Sequence, residues 1–121
     1  MTTTTDTFVP RINGYSPWGQ IEHINHYADG IIGVTTQSHG GIWLSPRRRI
    51  QLEKQSPWAI RAVEGRSYAA KPMWWEEDCE AVLPLLAFWE ELPEPMRRDS
   101  YYLDMVRTAN HTYGLTLSEK I

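Results

Sequence analysis

The dipeptide Asp29-Gly30 constrains this chain more than any other pair of residues. Asp-Gly is a preferred connection for a two-residue β-hairpin, because the turn needs positive φ and these residue types tolerate it. After it, Ile31-Ile32-Gly33-Val34-Thr35-Thr36 is rich in β-branched residues and bounded by turn formers. Before it, Gln20-Ile21-Glu22-His23 begins a strand with imperfect alternation. Ser38-His39-Gly40-Gly41 then reads as a second turn and Ile42-Trp43-Leu44 as a third strand. Gly19 to Ser45 is therefore expected to be a three-stranded antiparallel meander.

Helical signals follow. Ser45-Pro46 combines a good N-cap with the imino acid favoured at the first helical position, and Ser56-Pro57 repeats it. Trp75, Cys79, Val82, Leu83 and Leu86 fall at i, i+4, i+7, i+8 and i+11, which predicts a buried helix from Trp75 to Leu92, kinked at Pro84 or divided there into two abutting helices. Asp99 is the expected N-cap of a last helix. Its stripe is Tyr102, Val106, Ala109 and Tyr113, and Gly114 closes it. A loop is expected from Gly65 to Lys71, with a short strand at Ser67-Tyr68-Ala69, and the tail from Leu115 to Glu119 is expected to add a short edge strand. The fold class is α+β: a small antiparallel three- to four-stranded sheet packed on one face by two main helices. Residues 1–15 are expected to form a flexible N-terminal segment and residues 16–121 a single α+β domain.

Bulk properties narrow the function. No apolar run approaches the roughly 20 residues of a membrane span, and the N-terminus lacks the pattern of a signal peptide, so no membrane partner is expected. The single Cys79 fits a reducing compartment, so a cytoplasmic location is expected. A net charge of −3 argues against direct nucleic-acid binding. Of the six tryptophans, most are expected in the core and one or two as surface anchors.

Two clusters carry reactive residue types. His39 stands between a serine and two glycines, where backbone approaches closely and an imidazole suits proton transfer. Glu76-Glu77-Asp78 is explained by a helix start, where carboxylates complement the dipole, unless one of them turns toward His39. His39, Glu76, Glu77 and Asp78 are thus the catalytic candidates. No Cys-x-x-Cys or similar spacing is present, so neither a metal nor a cofactor is expected. His23 and His26 face opposite sides of a strand, and His111 suits the last turn of its helix. Arg47-Arg48-Arg49 opposes the dipole of the helix it begins; an anion or an acidic surface would favour it, and the alternative is a solvated face with the cost spread into water.

The order Ser16-Pro17-Trp18-Gly19, Asp29-Gly30-Ile31, Ser38-His39-Gly40-Gly41-Ile42-Trp43-Leu44-Ser45 and Trp74-Trp75-Glu76-Glu77-Asp78-Cys79-Glu80 resembles a family of small bacterial, phage and plasmid-borne proteins with a domain of unknown function. The resemblance covers roughly residues 16–92. It implies a mobile-element setting, where small proteins act on host machinery by binding it. The expected function is a protein-binding factor of a phage or other mobile element. By analogy it inhibits a host defence complex, in the manner of anti-CRISPR proteins. Its partner would be a protein complex of the bacterial host, met by Arg47, Arg48 and Arg49 and by Glu76, Glu77, Asp78, Glu90 and Glu91. The alternative is a small enzyme or metal-binding protein using His39 with a carboxylate from Glu76–Asp78.

Overall fold

A computed structural model describes residues 8–64 and 73–120. Along the chain these form β1 (Tyr15–Ser16), β2 (Gly19–Gln20), β3 (His23–Ala28), β4 (Ile31–Thr35), β5 (Gly40–Leu44), α1 (Pro46–Gln55), α2 (Pro57–Ala62), β6 (Trp74–Glu76), α3 (Val82–Ala87) and α4 (Asp99–Tyr113). Short 3-10 turns at Trp89–Glu91 and Glu94–Met96 precede α4. The expected loop and strand between Gly65 and Lys71 lie outside the described residues.

Asp29-Gly30 makes the expected hairpin: Ala28 pairs with Ile31, and Gly30 takes φ +77°. β5 lies antiparallel on the other side of β4, with Ile31 opposite Leu44 and Thr35 opposite Gly40. The fourth strand corrects the helix expected from Trp75. Trp74–Glu76 pairs with β5, Ile42 opposite Trp75 and Gly41 opposite Glu76, giving the order β3-β4-β5-β6. Two adjacent tryptophans favour a strand locally, and β5 offers an open edge to pair with. The helix starts only at Val82, and Pro84 is its third residue. A proline N–H is not needed there, because the first turn has no intrahelical acceptor, so Pro84 does not interrupt the helix.

The two-residue period of the strands sorts the core into two layers. Ile31, Ile42, Leu44 and Trp75 face the helices and join Leu52, Ala59, Leu83, Phe88 and Ala109 in one buried cluster. Ile32, Val34 and Trp43 face the other way and pack with Ile21. This second layer is flanked by Trp18, Ile24, Met73 and Trp74. The helices thus cover one face of the sheet, and the segment around β1 and β2 closes much of the other. Phe8 meets Trp43 edge-on at 5.8 Å, and Trp18 meets Trp74 at 5.8 Å with rings perpendicular.

The helix signals that were local are realised. Ser45 caps α1, its Oγ accepting the Arg48 N–H at 3.1 Å, with Pro46 following. In α4 the expected stripe is inward, with Val106 and Ala109 buried, and Gly114 ends it at φ +66°. The cap of α4 is Arg98, and Asp99 is the first helical residue. The described part of the tail forms no strand. Asn110 satisfies it instead, accepting from the Leu117 N–H and donating to the Leu117 carbonyl. None of the six tryptophans is exposed, contrary to the surface anchors expected. Trp43, Trp75 and Trp89 are buried, and Trp18, Trp58 and Trp74 half-buried. Among the described residues no helix is long and apolar enough to cross a membrane.

Candidate functional site

The β5–β6 pairing brings the two sequence clusters together. Glu76 lies opposite Gly41, so its side chain shares a face with that of His39, two residues before Gly41. The turn ahead of β5 fixes His39. Thr36 Oγ1 accepts the His39 N–H at 3.1 Å and donates to the His39 carbonyl at 2.8 Å, which also accepts the Thr36 N–H at 2.7 Å. On the other strand Glu76 Oε1 accepts the Asp78 N–H at 3.2 Å. The second oxygen, Oε2, is 3.7 Å from His39 Nδ1. That is a close contact, longer than a hydrogen bond.

His39, Glu76 and Asp78 each place one donor atom within 4.8 Å of the others. His39 and Asp78 are exposed and Glu76 is half-buried. Glu77 belongs to the opposite face: its N–H donates to the Gly40 carbonyl at 3.0 Å, and its carboxylate lies against Gly40. Glu80, the last residue of the acidic motif, is buried and accepts the Glu76 N–H at 3.2 Å, anchoring the turn. Burial pushes the Glu76 carboxyl above the usual carboxylate range. The Asp78 N–H bond opposes this, the Asp78 negative charge adds to it, and His39 counteracts it weakly. The acidic run is therefore not a set of helix-dipole partners, since the nearest helix begins at Val82.

Neither Gly40 nor Gly41 has positive φ, so a tight turn is not what they serve. They serve close approach. A side-chain carbon on Gly41 would overlap the Trp75 carbonyl oxygen and the Trp18 ring. One on Gly40 would lie 2.8 Å from the Val34 carbonyl oxygen.

The arginine run finds its anion within the chain. Arg48 binds Glu91 through two nitrogens at 2.8 and 2.9 Å, donates from Nε to the Asp29 carbonyl at 2.7 Å, and stacks over Phe88 at 5.2 Å. One side chain thus ties the hairpin turn, α1 and the 3-10 turn at Trp89–Glu91 together. Arg49 pairs with Glu53 at 3.7 Å, while Arg47 and Glu90 are exposed. The Arg48 side chain is only 13% exposed. Arg48→Ala should cost about 2 kcal/mol in urea unfolding. That is less than a fully buried pair, because water screens Glu91. Glu91→Gln combined with it should add little further loss, because the two residues act as one unit.

Sequence reasoning missed a second feature. Phe8 (49% exposed), Val9 (48%), Ile12 (57%) and Tyr15 (72%) are four of the molecule's exposed large apolar residues, and they lie within eight positions. Phe8, Val9 and Tyr15 border a groove of about 520 Å³ with Pro10, Arg11, Gly14 and Ile21. Val9 also borders a neighbouring groove of about 450 Å³, with Trp43 and Arg47 among its walls. The sequence signal was available: large apolar residues in a segment that no core strand or helix claimed.

Comparison with protein-family models matches residues 11–120 to the Domain of unknown function (DUF7007). The match extends past the 16–92 suggested by motif order and takes in α4. No curated protein and no solved structure matches the chain. With nearly all of its length matched, from Arg11 through α4 to Lys120, the chain belongs to the DUF7007 family.

Proposed function

We propose that this domain acts by binding another protein through the apolar surface around Phe8, Val9, Ile12 and Tyr15. The observation that carries the reading is the concentration of exposed large apolar residues there, bordering a groove. Apolar residues clustered on a surface mark interaction sites, whereas single exposed ones need no explanation. Arg11 lines the first groove and Arg47 the second, and neither makes an ion pair with a described residue. The partner segment that fits is one with apolar anchors flanked by carboxylates. Arg47 thus keeps the role expected of the arginine run, while Arg48 and Glu91 are engaged with each other. The narrower reading, a mobile-element factor that inhibits a host defence complex, is supported by the motif resemblance and by analogy.

The test is co-purification from a bacterial lysate with the intact chain and two double variants. Val9→Asp with Tyr15→Asp should abolish a stoichiometric partner while leaving the melting temperature within a few degrees. Ile50→Asp with Tyr101→Asp, at the exposed apolar positions elsewhere, should retain it. A partner kept by the first variant, or lost equally by both, overturns the assignment of this surface.

A further inference from the structure

We propose that His39, Glu76 and Asp78 form a binding site for a divalent transition ion of the zinc type. The proposal is independent of the apolar surface. It rests on three donors brought by two paired strands into one group, their ligand atoms within 4.8 Å of one another. Atoms sharing one ion at about 2.1 Å sit no more than about 4.2 Å apart, so closure needs side-chain shifts of under about an ångström.

The backbone beneath the donors is already fixed. Thr36 holds His39 from both sides of its peptide unit. The β-ladder continues past Glu76, with the Glu77 N–H on the Gly40 carbonyl at 3.0 Å. The Asp78 N–H holds Glu76 Oε1, leaving Oε2 turned toward His39. Such outer contacts orient ligands before an ion arrives. Two carboxylates sharing one turn also make a locally negative site that a cation relieves.

The donor chemistry selects the ion. Two oxygens and one nitrogen suit zinc, cobalt, nickel or manganese, whereas calcium and magnesium favour oxygen-only shells. Three protein ligands leave at least one position open, and exposure of His39 and Asp78 gives an ion access to solvent. Cys79, His23, His26 and His111 join no such group among the described residues. Motif spacing was blind to the site, because its ligands come from two segments joined only by strand pairing.

The test is calorimetric titration of the untagged, chelator-stripped full chain with zinc chloride, with cobalt absorption as a second readout. The expected result is one zinc per chain and a higher melting temperature with the ion present. His39→Ala and Asp78→Asn, both at exposed positions, should each weaken zinc binding at least tenfold, and His26→Ala should not change it. A cobalt spectrum altered by His39→Ala should show nitrogen ligation directly. Zinc affinity unchanged in both site variants, or wild-type binding no tighter than millimolar, overturns the proposal.

Discussion

Trp75→Ala is expected to lower the stability of the domain by about 4 kcal/mol, the scale for truncating a buried tryptophan. Trp75 is 1% exposed. It is the largest fully buried side chain described, and it connects β6 to the cluster formed by Ile42, Leu44, Leu83 and Phe88. A cavity there lies within the cluster shared by the sheet and the helices, and neither layer can collapse inward without breaking strand or helix hydrogen bonds. Domains of this size hold roughly 5–15 kcal/mol in total, so the variant should melt on the order of ten degrees or more below the parent. Trp58→Ala, at a half-buried position, should cost clearly less. Urea unfolding followed by far-ultraviolet circular dichroism measures both. A loss under about 1 kcal/mol at Trp75 would contradict its place in the core.

Gly41→Ala is expected to cost about 3 kcal/mol, at the upper end of the usual range for overpacking. One methyl group has this effect because of what it meets. The Trp75 carbonyl oxygen is backbone in the paired strand, and the Trp18 ring covers the outer face of β5. The ring can swing away, but the carbonyl moves only if β6 does. Gly41→Ala should therefore loosen the β5–β6 pairing and separate His39 from Glu76. Trp18→Ala added to Gly41→Ala should restore only part of the loss, since the carbonyl overlap persists. Near-ultraviolet dichroism should report the displaced tryptophans. A Gly41→Ala protein as stable as the parent would contradict the close approach at this position.

Much of the framework was legible because its signals are local. Asp29-Gly30 dictates its own turn, Ser45-Pro46 caps and starts α1 within four residues, and the α4 stripe runs for three turns before Gly114 stops it. What was misread depended on distant partners. Three residues are too few for β6 to show alternation. The spacing of Trp75, Cys79 and Val82 matched a helical period across what is a strand followed by a turn. Its true state is set by β5. β1 and β2 have two residues each and show no period at all, although the turn-forming pair Asn13-Gly14 precedes them and Asn13 takes φ +71°. An anion was one of two readings of the arginine run, but its partner, Glu91, lies 43 residues away, beyond any spacing rule. The site followed the same logic: His39 and the acidic run were each singled out, and only the strand between them and its register decide that Glu76 and Asp78, not Glu77, face the histidine.

The pairing of β6 with β5 carries the site, and nuclear Overhauser contacts in the isotope-labelled chain test it most directly. The structure predicts cross-strand contacts from Ile42 to Trp75 and from Gly41 to Glu76, and side-chain proximity of His39 and Glu76. Sequential helical contacts running from Trp75 through Cys79, with none reaching β5, would contradict it.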